Sequence, residues 1–237
     1  MQLKGGHMKH IVSFSGGKDS TAMLIRMIEL DYKIDRIIFA DTKYEFPEMY
    51  EYIEKVQDFI GREIEVLRTN QKFEDWFYGE WTRGNLRGQK RGFPKVVYPC
   101  YWSRESKFKV LEKECKGNIR YIGIAYDERH RETNNEGYKY PLIEWSWTEM
   151  DCIRYLERID LINPLYEKFD RLGCWWCPKQ SRKSLESLYR YYPDLWDKFL
   201  ELDKDSPHDF KPNRTLKSLE LEIYLKVNQL DMFGLVI

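Results

Sequence analysis

Three groups of residues in this 237-residue chain have types and spacings that could do chemistry. The first is Ser15-Gly16-Gly17-Lys18-Asp19-Ser20. Two glycines let phosphate oxygens approach backbone amides, Lys18 brings a mobile cation, and Ser15 and Ser20 bring hydroxyl donors. A multiply charged phosphate is the ligand that suits such a loop. It is not a Walker motif, because Asp19 follows the lysine where Ser or Thr would be needed. The second group is Cys174 and Cys177, spaced so that both thiolates can face one metal, with Cys100 upstream as a third sulfur. The third is the stretch Thr82 to Lys95, where Arg83, Arg87, Lys90, Arg91 and Lys95 occur with glycines and no acid. This loop could close over a nucleotide, touch a nucleic-acid backbone, or be solvated surface.

The elements that must position these groups follow from periodicity. His10 to Phe14 is a short apolar strand, and Thr21 to Leu30 has apolar residues at helical spacing. The glycine loop therefore lies between a strand end and a helix N-terminus, where open α/β sheets bind ligands. Asp35 to Ala40, Glu63 to Leu67 and Arg120 to Ala125 read as further strands, and Phe46 to Ile60 as an amphipathic helix. A helix is also expected over Lys107 to Lys113. Strands alternating with helices must pair in parallel, so the expected fold is a doubly wound α/β sheet. From about Trp145 the pattern becomes helical. Thr148 with Asp151 makes a helix-start box before Cys152 to Leu156, Pro164 sits in a loop, and helical stretches follow near 184–192 and 216–227. The expected organisation is an expression-tag scar over 1–7, a nucleotide-binding α/β domain over 8–145, and a helical extension over 146–237 carrying the CxxC segment.

Thirty-nine basic and 39 acidic residues cancel, which argues against a general positive coat but not against a local basic groove. No apolar run approaches the ~20 residues needed to cross a bilayer, and no apolar signal core opens the chain. Membrane, collagen-like and wholly disordered classes are excluded. Five cysteines without a secretion signal fit reduced thiols or metal ligands in a cytoplasmic protein. Cys115 continues the face of Phe108 and Leu111, and Cys152 sits beside Ile153 and Leu156, so both are expected in the core. Trp76, Trp81 and Phe93 could stack on bases but are expected to pack.

At these residues the chain resembles a known family. SGGKDS is similar to the loop of the adenine-nucleotide α-hydrolase-like, or PP-loop, superfamily, whose sheet is HUP-like. Asp41-Thr42 with Phe46-Pro47-Glu48, Gly123-Ile124-Ala125 with Asp127-Glu128 and Arg131, Tyr140 to Trp145 with Thr148-Glu149, Asn163-Pro164-Leu165-Tyr166, and Gly173 to Pro178 resemble its phosphoadenosine phosphosulfate (PAPS) reductase-like branch. The resemblance implies adenine-nucleotide binding by Ser13, Ser15, Gly16, Gly17, Lys18, Asp19, Ser20, Asp41, Gly123, Asp127 and Arg131. It also implies chemistry at the α-phosphorus, where a nucleophile attacks ATP and pyrophosphate leaves. Lys18, Asp19 and Asp41 are the expected catalytic residues. Loop N–H groups and Lys18 suit the growing charge of that leaving group, and Mg²⁺ would share it through Asp19 and Asp41. Asp41 reads equally as a strand-end turn residue, and Gly123 as an adenine contact or a bend.

Two departures shape the expected activity. Sulfonucleotide reductases carry a reactive cysteine near the C-terminus, and no cysteine follows Cys177. Ala125 replaces the arginine of the stricter fourth-strand motif. An ATP pyrophosphatase or adenylyl transferase, coupled to a sulfur donor in one version, is the leading expectation. The alternatives are a sulfonucleotide reductase using a partner thiol, and a nucleotide-binding module recruited to DNA machinery. Gln229 to Phe233 resembles the short peptide with which replication enzymes dock on the sliding clamp. Cys100 falls where iron–sulfur relatives place their first cysteine motif, with Tyr101 in the second position of the pair. The three thiolates could hold a 4Fe–4S cluster with one iron open, or zinc with His130 or His208. Cys174 and Cys177 could instead be a redox or packing pair.

Overall fold

The computed structural model describes residues 7–96 and 99–234, with side chains to residue 226. Strands β1 (His10–Phe14), β2 (Arg36–Asp41), β3 (Glu65–Arg68), β4 (Ile119–Ile122) and β5 (Tyr138–Lys139) form a wholly parallel sheet in the order β3-β2-β1-β4-β5. The helices are α1 (Lys18–Glu29), α2 (Pro47–Ile60), α3 (Phe73–Phe77), α4 (Tyr101–Ser103), α5 (Lys109–Cys115), α6 (Pro141–Glu144), α7 (Glu149–Arg158), α8 (Arg182–Tyr191), α9 (Pro193–Asp205) and α10 (Leu216–Gly234). β1 and β2 are buried almost throughout, as continuous apolar strands must be when both faces of a sheet are covered. This is the expected doubly wound α/β architecture followed by C-terminal helices.

Local chemistry sets the boundaries. Pro47 opens α2 at the first helical position, and Gly61 closes it in the left-handed conformation. The Thr148–Asp151 capping box forms as expected. β4 stops at Ile122 instead of running to Ala125, because the chain turns there and the Ile124 N–H bonds the Ile122 carbonyl. α1 begins at Lys18, so Lys18 and Asp19 belong to its first turn. A π-helical turn, Arg104–Phe108, precedes α5. The two-residue β5 is too short to announce itself by alternation, and α9 had no place in the expected pattern.

By packing, the chain divides into two units, each made of two stretches. The first takes residues up to Thr69 and Ser106–Glu167, and the second takes Asn70–Glu105 and the chain from Lys168. The expected boundary near residue 145 falls inside the first unit, because α7 packs on α1 and the Pro164–Glu167 turn packs on α2. On the α5 face of the sheet, Ile11, Ile38 and Cys115 form a buried cluster with Leu67 and Leu111 against it, so Cys115 is a core residue. The second unit has an aromatic core. Phe73 lies 5.2 Å from Trp102 and 5.0 Å from Trp176, and Phe93 lies 5.4 Å from Phe210. Trp76 and Phe93 are buried there, so they pack as expected. No helix among the described residues is long and apolar enough to cross a membrane.

Phe77 is fully buried among these rings. Phe77→Ala should cost about 3–5 kcal/mol, read as a lower denaturant midpoint. A midpoint unchanged from the parent would show that the aromatic cluster is not a cooperative core.

Candidate active site at the first loop

The strand order reverses between β1 and β4. Ligands of open α/β sheets bind at the carboxyl ends of strands at such a switch point. The Ser15–Ser20 loop leaves β1 there, and Gly123 follows β4 beside it. A Cβ on Gly123 would meet the Ser20 backbone at 2.7 Å, so the missing side chain is what lets the two segments approach. That packing role comes in addition to the expected ones, since the chain also turns at Gly123 and Gly123 lines the neighbouring cavity. Gly16 has φ +71°, the left-handed region. Within the loop, the Ser15 and Ser20 hydroxyls lie 2.8 Å apart, and Ser20 Oγ donates to the Gly17 carbonyl. Two later residues brace the turn: Asn163 Nδ2 donates to the Gly16 carbonyl at 2.9 Å, and the Lys18 N–H donates to Tyr166 Oη at 3.1 Å.

Charges concentrate at the start of α1. Lys18 Nζ lies 2.8 Å from Glu149 Oε1 and 3.3 Å from Asp19 Oδ2. Burial works against the Lys18 charge, yet the Glu149 hydrogen bond and the charges of Asp19 and Glu149 overcome it and hold the ammonium well above its usual range. Asp19 is pushed the other way for an acid. Burial raises its pKa, Glu149 and Glu128 add to this, and Lys18 opposes it. Asp19, Glu128 and Glu149 each place a carboxylate oxygen within 4.8 Å of the others. Asp19 Oδ1 is buried without a hydrogen-bond partner. Cys152, expected only to pack, is buried beside this group, and burial and the Asp19 charge push its thiol far up.

Asp41 does something else. Its Oδ1 accepts from the Lys43 N–H and Tyr50 Oη, and its Oδ2 takes Arg68 Nε at 2.7 Å. These contacts fit the strand-end turn reading, and the carboxylates grouped with Asp19 are Glu128 and Glu149 instead of Asp41. Asp127 caps α7 by accepting the Glu149 N–H, and Arg131 pairs with Glu128. A cavity of about 440 Å³ opens beside the loop, lined by Ser13, Ser15, Ser20, Ala40, Gly123 and Arg131 among others. The loop and cavity together offer donors for a phosphate chain and a partly open space for the group attached to it.

In the second unit, Cys100 caps α4 through its sulfur, which accepts the Ser103 N–H at 3.4 Å. Burial raises its thiol pKa, and Cys177 is near enough to add to the rise. Cys174 and Cys177 share a tight turn, with the Cys177 N–H bonded to the Cys174 carbonyl. The three sulfurs do not gather within 4.8 Å of one another among the described residues. His208 belongs to the same unit and His130 to the other. In the basic stretch, Arg83, Arg87, Lys90 and Lys95 are exposed, but Arg91 turns inward, donating to the Trp76 carbonyl and lying 5.5 Å from the Trp81 ring. The side chains of Gln229 to Phe233 lie outside the described residues, although their backbone continues α10.

Glu149, Glu128, Asn163 and Tyr166 were not expected in the site. All lie in stretches that carry the family resemblance, so the signal was present without an indicated role. Comparison with known proteins agrees with that resemblance. Residues 9–82 match the family model of the phosphoadenosine phosphosulfate reductase domain. An uncharacterized protein of Methanocaldococcus jannaschii is 29% identical over 206 residues, covering 80% of this chain and 40% of that protein. A second from the same organism is 26% identical, over 83% of this chain and 48% of that protein. The chain thus spans less than half the length of these two relatives. Adenosine 5'-phosphosulfate reductase 1 of Bacillus subtilis is 28% identical over 65% of this chain and 68% of its own length.

The close approach at Gly123 gives a direct check. Gly123→Ala should push the Ser20 backbone away and lower stability by about 1–3 kcal/mol, with weaker phosphate-ligand binding by calorimetry. Parent-like stability and affinity would mean that the contact does not constrain the loop.

Proposed function

We propose, from the match of residues 9–82 to the phosphoadenosine phosphosulfate reductase domain and the resemblance to PP-loop proteins, that this protein binds an adenine nucleotide, with the phosphates on the Ser15–Ser20 loop, and promotes attack at the α-phosphorus with release of pyrophosphate. The observation that carries this reading is Lys18, a cation held by Glu149 and Asp19 beside a cavity at the switch point. Arriving phosphate oxygens would compete with Glu149 for Lys18. Once phosphate is bound, the lysine and the loop amides would stabilise charge as it develops on the leaving pyrophosphate. The carboxylates of Asp19, Glu128 and Glu149 suit Mg²⁺, a hard cation that prefers oxygen ligands, and the orphaned Asp19 Oδ1 supports that fit. When bound, Mg²⁺ would neutralise phosphate charge. A sulfonucleotide reductase using a partner thiol is the second reading, favoured by the likeness to the Bacillus subtilis reductase.

For the cysteines we propose a 4Fe–4S cluster on Cys100, Cys174 and Cys177. Bonds of 2.3 Å around one tetrahedral zinc put sulfurs about 3.8 Å apart, closer than this trio gathers. A cluster is larger than a single ion, and cysteine thiolates are its usual ligands. When bound it would supply an open iron for sulfide or substrate.

Pyrophosphate release from ATP, measured with sulfite release from a sulfonucleotide, separates the two enzyme readings. Lys18→Ala and Asp19→Ala should each slow turnover by about 2–4 kcal/mol of transition-state stabilisation. Undiminished turnover in both variants would remove the loop from the chemistry. For the metal, anaerobic purification should give iron with labile sulfide and a brown absorption that Cys177→Ser loses. Zinc near one equivalent, or three freely alkylated thiols, would overturn the cluster.

A further inference from the structure

The cavity holds a charge that the phosphate-loop reading does not use. Arg120, the second residue of β4, is only 6% exposed, yet it lines the cavity. Its Nε donates to Ser13 Oγ at 2.8 Å and its Nη1 to Tyr138 Oη at 3.2 Å, with the guanidinium 5.2 Å from the Tyr138 ring. Both partners are neutral. Among the described residues no carboxylate lies within salt-bridge distance of Arg120, including Glu112, which also lines the cavity. The neighbouring cations differ: Lys107 Nζ has Glu45 at 2.9 Å, and Arg131 has Glu128.

A guanidinium has five N–H donors, and two are used here, so three remain. A buried charge without an acid is costly to keep, and removing its solvation makes sense where a ligand supplies the missing anion. The planar fork matches two oxygens of one group better than it matches a single acceptor. Ser13, which holds Nε, precedes Ser15 by two residues, about 7 Å of strand. Lys18 and its partners Asp19 and Glu149 are not among the cavity-lining residues, so a group facing Arg120 is separate from the phosphate that Lys18 would hold.

We propose that the cavity contains an oxyanion subsite in which Arg120, positioned by Ser13 and Tyr138, binds a phosphate, sulfate or carboxylate. The inference deepens the nucleotide reading and rests on it for what occupies the loop. The oxyanion is either a second phosphate on the nucleotide's sugar or a separate acceptor molecule, and the chemistry at Arg120 is the same in both.

Crystals soaked in selenate, a sulfate analogue visible by anomalous scattering, locate the subsite directly. We expect a selenium peak within hydrogen-bonding reach of the Arg120 guanidinium, lost in Arg120→Gln while any peak at the loop persists. Selenium at the loop only, or nowhere in the cavity, would overturn the subsite. Calorimetry then identifies the source. At least tenfold tighter binding of adenosine 3',5'-bisphosphate than of adenosine 5'-monophosphate, abolished by Arg120→Gln, assigns the oxyanion to the nucleotide. Equal affinities with the selenate peak retained assign it to a separate molecule. If Arg120→Gln does not fold, Arg120→Lys keeps the charge, loses the fork and carries the same comparison. A selenate peak at Arg120 in a protein that binds neither nucleotide would sink the nucleotide reading and leave the subsite standing.

Discussion

The ion pair between Lys18 and Glu149 ties the first unit together at its ligand-facing end. It joins the first turn of α1 to the first turn of α7, 131 residues apart in sequence. Here a half-buried cation is steadied by an acid, and the acid is held in place by a helix start. Asp127 and the Thr148–Asp151 box supply that start. The parallel sheet pairs β1, which leads into α1, with β4, and the segment after β4 carries Asp127, the acceptor for the Glu149 N–H. Without that adjacency the loop lysine would keep only its own neighbour Asp19 and lose the distant acid Glu149.

The order of events at the loop follows from this starting state. Lys18 is not waiting unpaired for phosphate, since Glu149 and Asp19 already satisfy it. A ligand gains only the difference between its own interaction and the one it displaces, which tempers affinity for a lone phosphate. Ligands that also fill the adjoining cavity gain apolar and polar contacts that a bare phosphate lacks. On the proposed reading, such an arrangement would favour a nucleotide over its fragments through the sum of two modest sites.

Much of the sheet was legible in the sequence because β1 and β2 are apolar through their length and the loop residues sit at fixed offsets from them. β5 was not, since two residues carry no period, and its partner β4 was read three residues too long because Gly123-Ile124-Ala125 is as apolar as a strand. The site was half legible. Lys18 and Asp19 declare themselves by motif, but Glu149 and Asn163 act only through tertiary neighbours, and neither residue type is unusual where it stands. Asp41, legible as a carboxylate at a strand end, has partners that only the fold reveals: Arg68, Tyr50 and the Lys43 amide. Cys152 was read as ordinary core, and only the fold reveals that its neighbour is Asp19. The split into two units was hidden for a similar reason, because the aromatic residues of 70–105 find their partners a hundred residues later.

The two braces on the glycine loop bear on how the protein is made. The residues that grip Gly16 and Lys18 lie 147 and 148 positions further along the chain. During synthesis the loop leaves the ribosome before these braces, followed by a helix that can form locally, but its shape depends on contacts not yet translated. Contacts so distant in sequence form late and slowly, because chain closure must come first. A nascent chain stalled before Asn163 would carry the full motif and lack the geometry, so the motif becomes competent for ligand only after most of the first unit has been translated.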